Sequence, residues 1–504
     1  MPWKPEHPHP ENTNTLTLNL ANLTTAEGKI NPANRVILNA ESTFTLAGNN
    51  TLAGLTINNN GGNVSQLAVA PVGATVNVGT GTLTLTDTLV ATSQNPAAIA
   101  NITGTGTLDL GGSTTAAINV APIALAADGQ NFAPWQPTLN ISSLLANFSP
   151  TTLTPMPIAV TGGGVLSLGG QSVFTSDFTV GGGSGLFFNA SSTGTAVGVV
   201  PTAGPVGTGK LVLEDAALLL SGASTHAITN AVEIRGDFAF GGFNNLALNG
   251  LIALGADSAH AIDVVVPTVS LTLGGVVSGS NDLVKTGLGN LVLGNVGNTY
   301  TGRTVVQGGI LNVSTLRDGG LPSSVGASSG SAANLVLDGG ALNYNGVTAS
   351  TDRLITLGAA GGVIDVTTGV ASDALTFAST GAVAYAGTGA RTLVLKGGSS
   401  GTSVFNPLIG DAGSDAVSVA KGGAGSWMLG SANTYTGGTT VTWGTLLLGN
   451  AAALGTGAVT ITGGVLDLTG KSPTNNFFVD GGRLTGGTLP AAKVTAQAGT
   501  IDIN

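Results

Sequence analysis

The sequence predicts an all-β chain whose short strands stack in parallel as coils of a β-solenoid with Gly-rich turns. Three observations carry this. Apolar residues recur with period two in short runs, the mark of a strand with one buried face. Nearly every run is bounded by Gly-Gly, Asn-Gly or Thr-Gly. No ten-residue stretch combines helical period, good helix formers and a cap.

The elements follow in order. Residues 1–15 ("MPWKPEHPHPENTNT") form a Pro-rich arm with no apolar h-region, so no secretory signal is expected within the chain. From residue 16 to 120 the text is strand-like, as in "TLTLNL" (Thr15 to Leu20) and "TLTL" (Thr82 to Leu85). Residues 121–159 break the rhythm: six of the 20 prolines fall between Ala121 and Pro157, together with Phe132, Trp135 and Phe148. Proline cannot donate to a ladder. An excursion from the solenoid is expected there, either folded down as a lid on an apolar coil face or exposing Phe132, Trp135 and Phe148 as the candidate partner contact. From 160 to 504 one continuous solenoid is expected, through "VLSL" (Val165 to Leu168), Leu335 to Leu337 and "VLDL" (Val465 to Leu468).

A meander of hairpins is the competing arrangement. Hairpins favour two-residue Asn-Gly or Asp-Gly turns, whereas the spacers here are irregular and separate strands of similar make-up over the whole length. Coils fit better, on the order of 20 of them at about 20–29 residues each. Composition agrees. Charged residues make up 8% of the 504, against about 25% in an ordinary domain, and stacked like charges would repel. With 42% hydrophobic residues the chain is not of the disordered class.

Composition also excludes function classes. A formal charge of −10, with no cluster of Lys or Arg, argues against nucleic acid and anionic membrane as partners. The absence of Cys removes thiolate nucleophiles, disulfides and Cys-based metal sites. No apolar run reaches the roughly 18 residues of a membrane-spanning helix. No cofactor is expected.

One phrase is written twice. "NTYTGRTVVQGGILNVS" (298 to 314) and "NTYTGGTTVTWGTLLLG" (433 to 449) agree at nine of 17 positions. Upstream, "LVKTGLGNLVLGNVG" and "VAKGGAGSWMLGSA" align Lys285 with Lys421, Gly289 with Gly425 and Leu293 with Leu429. Asn298, Tyr300, Gly302, Asn433, Tyr435 and Gly437 are therefore read as repeat corners. Each Lys is expected to span a coil corner to a backbone carbonyl, and each Tyr to pack its ring along the turn with a hydroxyl partner. Gly302 and Gly437 are expected to matter through positive φ.

These residues resemble the passenger-associated repeats of bacterial autotransporters, clearest over 273–313 and 419–470. The resemblance implies a right-handed parallel β-helix, extracellular or on a bacterial cell surface. It implies no activity. The chain departs from the autotransporter plan, since the family's C-terminal membrane barrel does not follow within it.

The search for chemistry is mostly negative. "GASSG" (326 to 330) and "GGSSG" (397 to 401) match GxSxG, but a nucleophile elbow needs a strand, a turn and a helix. His7 and His9, with Glu6 and Glu11, belong to the arm, and His226 and His260 sit among small residues. The carboxylate pairs Asp411 with Asp415 and Glu214 with Asp215 occur in Gly- or Ala-rich turns, where solvent-facing charge is ordinary. The Ca²⁺ nonapeptide is missing. A non-catalytic structural or adhesive surface protein is favoured, with a host or surface glycan or protein as the possible partner. A carbohydrate-active β-helix, an autotransporter adhesin passenger and a Thr-row ice binder are the other readings. "TLTLT" at 82 to 86 does not recur regularly enough for the last. Head-to-tail self-association into filaments is expected through Thr15, Leu16, Leu18 and Leu20 at one end and Ile501 and Ile503 at the other.

Overall fold

A computed structural model describes residues 15–60, 73–111, 116–124, 133–147, 156–255, 259–368, 370, 372–489 and 493–503. The chain divides into two compact units, 1–232 and 233–504.

In the first unit the strands fall into rows that the chain visits in turn. One row runs through Thr15–Asn19, Arg35–Asn39, Gly54–Asn59, Leu89–Ser93, Ala116–Ile123, Ile158–Thr161, Phe178–Val180 and Leu211–Leu213. A second takes the strand that follows each of these, from Asn22–Thr25 to Ala217–Ser221, and a four-stranded third row joins Asn50–Leu52 to Leu144–Ala146. Neighbours in a row are parallel and in register. Antiparallel contact between described residues is confined to isolated bridges.

Register explains the period-two text. Phe44, Val76, Ile102, Ile141, Leu168 and Phe188 are successive Cα partners, all buried. Alternate residues face out and meet their own kind: Asn39 Nδ2 donates to Asn19 Oδ1 at 2.6 Å and Asn58 Nδ2 to Asn39 Oδ1 at 2.9 Å. Each added coil therefore extends an apolar stack inside and a polar ladder outside, as in other in-register stacks.

The stretch 121–159 is not wholly an excursion. Leu139–Ile141 pairs with Ala100–Thr103 and Val165–Leu168, and Leu144–Ala146 pairs with Thr107–Asp109. The prolines punctuate coils instead of leaving them. Pro122 lies where the ladder to Leu89–Ser93 slips between Val120 and Ile123, Pro134 and Pro137 precede Leu139, and Pro157 precedes Ile158. Residues 125–132 and 148–155 lie outside the described residues.

The second unit repeats the principle. Leu246, Leu271, Leu291, Leu311, Leu342, Ile364 and Leu395 are successive partners, each at most 1% exposed. The helical element among the described residues is one 3-10 turn, Ala332–Asn334.

Candidate functional site

The twice-written phrase folds into one structure at equivalent corners of two coils of the second unit. Asn298 is fully buried. Its Oδ1 accepts the Val277 N–H at 2.9 Å and its Nδ2 donates to the Ser324 carbonyl at 2.9 Å. Asn433 does the same with the Ile409 N–H at 2.9 Å and the Ala453 carbonyl at 2.7 Å. A side chain with both a donor and an acceptor is what such a bridge needs. Tyr300 and Tyr435 are buried, each hydroxyl 2.7 Å from the Oγ1 of Thr304 or Thr439. Those threonines donate onward at 3.4 Å to the carbonyls of Val325 and Leu454, so the phenols donate to the threonines. Burial pushes both phenols well above their usual range.

A glycine closes each corner from the next coil. Gly326 and Gly455 have φ of 74° and 65°, and any Cβ there would meet the Tyr300 or Tyr435 carbonyl and ring. The residues that follow, Ala327 and Thr456, donate to those same Tyr carbonyls at 2.8 and 2.9 Å.

Gly302 and Gly437 are needed for another reason than the expected one. Neither has positive φ. A Cβ on Gly302 would run into the Asn281 carbonyl, and one on Gly437 into the Val417 carbonyl and the Ser418 hydroxyl. Close approach of coil to coil is the constraint.

Lys285 and Lys421 are both 0% exposed. The Lys285 ammonium donates to the carbonyls of Thr286, Gly287 (3.0 Å) and Gly308 (3.2 Å), the last in the next coil. Lys421 donates to Gly422 (2.6 Å), Gly423 (2.7 Å) and Trp443 (3.0 Å). Burial lowers each pKa to about 8, with Asp263 partly opposing the effect at Lys285. Each ammonium has a carbonyl acceptor for each of its three N–H groups. Two buried arginines that the sequence reading passed over do similar work. Arg353 binds the Arg317 and Gly326 carbonyls and the Ser328 hydroxyl. Arg391 binds the carbonyls of Leu357, Ala386, Gly387 and Gly389 and lies 5.7 Å from the Tyr385 ring centroid.

The catalytic candidates are occupied with structure. Ser328 and Ser399, at the centres of the two GxSxG strings, are buried; the first accepts from Arg353 and the second from the Thr368 N–H. Asp411 caps the N–H groups of Val417 and Thr436, which lowers its pKa against the opposing effect of burial. Asp415 accepts from Gly389. Glu214 and Asp215 form a surface turn ahead of Ala216, whose φ is 59°. His226 sits between Ser191 at 3.4 Å and Ser224 at 3.5 Å, with its pKa lowered by burial. His260, in the other unit, is 3.1 Å from the Gly255 carbonyl. His7, His9, Glu6 and Glu11 lie outside the described residues, among which no cluster of three or more metal-ligating side chains occurs.

Of the expected partner contacts, Trp135 is half-buried and Phe132 and Phe148 lie outside the described residues. Thr15, Leu16 and Leu18 belong to the first rung of their row, with Leu18 buried and Leu20 exposed just beyond it. Ile501 is exposed on Val494–Asp502, the last strand of its row, and Ile503 follows it. One surface feature went unread: the loop 189–208, which holds Val197, Val199 and Val200 exposed and contains no charged residue. Its text, rich in Gly, Ala, Val and Thr, is indistinguishable in composition from the coils around it.

Residues 283–313 and 419–448 match the passenger-associated-transport-repeat family. Over 351 residues, 67% of its length, the chain is 32% identical to the adhesin BmaC autotransporter of Brucella suis biovar 1 (strain 1330). It spans 9% of that relative's length. No solved structure matches. Parallel coils, two matched repeats whose corners are built alike, and this likeness agree: the chain is a passenger-repeat protein of the autotransporter type, surface-exposed or extracellular.

Proposed function

We propose that the chain is a non-catalytic adhesive segment, in which stacked coils act as a stalk and surface loops make contact with a host glycan or protein. The observation that carries this is the use of its reactive side chains: the buried cations, the serines of the GxSxG strings and the Asp411–Asp415 pair are all engaged in holding corners. The likeness to an adhesin supports it. The loop 189–208 and Trp135 are the contacts to test. Beads coated with the full chain should be retained on cultured animal cells above uncoated beads, and replacing residues 194–202 by Gly and Ser together with Trp135→Ala should lower retention. Retention no better than that of uncoated beads would sink the proposal, as would release of reducing sugar ends from a polysaccharide in proportion to added protein.

A second reading, end-to-end assembly, rests on two strands that each pair on one side only among the described residues. Thr15–Asn19 and Val494–Asp502 stand last in their rows, and the latter is almost wholly exposed. Unpaired edges template pairing. Association that rises with concentration in sedimentation, and falls on Thr500→Pro, is the expected result. A chain that stays monomeric at high concentration contradicts it.

A further inference from the structure

The corner found twice in the second unit occurs a third time in the first, in a form whose sequence hides it. We infer that residues 158–188 are a third passenger repeat, with an apolar ring pair in place of the hydroxyl pair, and that the corner it closes is where this architecture admits a surface loop.

"IAVTGGGVLSLGGQSVFTSDFTV" (158 to 180) lies on "VAKGGAGSWMLGSANTYTGGTTV" (419 to 441) without a gap. Gly162 falls on Gly423, Gly164 on Gly425, Leu168 on Leu429 and Gly169 on Gly430, while Val160 replaces Lys421, Ser172 replaces Asn433, Phe174 replaces Tyr435 and Phe178 replaces Thr439. The family match does not reach this stretch.

Several bonds of the corner then recur. Gly162 and Gly423 have φ of 98° and 65°. Gly164 donates to the Val120 carbonyl at 2.7 Å, as Gly425 does to that of Gly397 at 2.8 Å. Ser172 Oγ accepts the Leu145 N–H at 2.8 Å, as Asn433 Oδ1 accepts that of Ile409 at 2.9 Å. Ser172 also forms an antiparallel bridge to Gly204, as Asn298 does to Ser323. The Phe174 carbonyl accepts the Thr208 N–H at 2.7 Å, the place taken by Thr456 on Tyr435. Gly207, with φ of 68°, sits on the Phe174 carbonyl and ring as Gly455 sits on those of Tyr435.

Each substitution has a local answer. Where Tyr435 gives its hydroxyl to Thr439, Phe174 and Phe178 hold their ring centroids 6.3 Å apart, within the range of a favourable aromatic pair. Where Lys421 reaches the next coil, Val160 cannot. The turn there carries one more residue, and Ser184 from it accepts the Gly163 N–H at 3.1 Å. An apolar pair and a hydroxyl pair are each self-consistent in a buried site; a mixed pair loses both the ring contact and the Tyr–Thr hydrogen bond.

The three corners differ in what they carry. Between the second strand of the repeat and the closing glycine lie residues 449–454 in one copy, 314–325 in another and 189–206 in the third. The same closure serves loops of three lengths, and the two longer ones expose Leu321 and Val197, Val199 and Val200.

Three experiments on the full chain test this, read by amide hydrogen exchange. Phe174→Tyr and Phe178→Thr should each speed exchange at Thr208 by about tenfold or more, and the double variant should recover most of the protection. If the double variant loses as much as the two single losses combined, the pair is not the counterpart of Tyr435 and Thr439 and the inference falls. Replacing residues 189–206 by 449–454 should leave protection at Leu145 and Thr208 within about threefold of the parent; collapse of protection at both amides would show that the corner does not close a loop independently of its length. Ser172→Ala guards against a chain that fails to fold: it should weaken Leu145 as Asn433→Ala weakens Ile409, and the lack of that parallel would overturn the assignment.

Discussion

Lys285 and Lys421 show how a chain this poor in charge uses the little it has. Each ammonium satisfies three carbonyls that a Gly-rich corner leaves pointing inward. Lys421→Met removes the donor and strands the acceptors, so a loss of about 2–4 kcal/mol is expected in denaturant titration. The pH dependence has a definite sign. With a folded pKa of about 8, below the ordinary value of about 10.4, the folded coil binds this proton less tightly than the unfolded chain. The cost of burying the charge is fully present below pH 8 and is relieved as pH rises toward 10, so the parent gains stability relative to Lys421→Met over that window. A parent that loses stability relative to the variant between pH 8 and 10 contradicts the burial account. At the neighbouring corner, Gly302→Val puts side-chain atoms into the Asn281 carbonyl and should cost more than the ~1 kcal/mol of an ordinary substitution. A thermal midpoint unchanged by Gly302→Val would show that the coils are not in contact there.

At the scale of the strand, stability comes from columns. Leu311 is stacked between Leu291 and Leu342 with no exposure, and Leu311→Ala should cost about 2–5 kcal/mol because neither neighbour can move in to fill the gap. A loss under ~1 kcal/mol would mean a column loose enough to collapse. Strands of this kind were legible: the alternation in "LVLG" or "TLTL" is the inward and outward alternation of a parallel row. The Lys and Tyr roles were legible too, because two copies kept the same residues. What stayed hidden was hidden for physical reasons. Prolines 122, 134, 137 and 157 mimic an excursion, but each sits at a ladder slip, in a turn or just ahead of a strand, where its missing N–H costs little. Gly302 is required by the coil beneath it, which one strand of text does not reveal. Phe174 and Phe178 replace a polar pair by an apolar one, so the third corner keeps its geometry and loses its spelling.

In each unit the parallel rows repeat one stacking pattern, and the loops between strands vary in length. The proposed adhesive role fits that division, since contacts can change while the stack persists. Everything rests on parallel, in-register stacking. The absence of Cys permits a direct test. Asn312 faces Asn343 with a side-chain bond of 2.7 Å, and Ile310 faces Ala341 one step earlier. Introduced in pairs, Asn312→Cys with Asn343→Cys and Ile310→Cys with Ala341→Cys should each oxidise to a cross-link, because neighbouring strands bring Cα atoms within disulfide range. The crossed pairs, Ile310→Cys with Asn343→Cys and Asn312→Cys with Ala341→Cys, should stay reduced. Efficient cross-linking of the crossed pairs and none in the matched ones would mean antiparallel hairpins, and the account of coils, corners and carried loops would be contradicted.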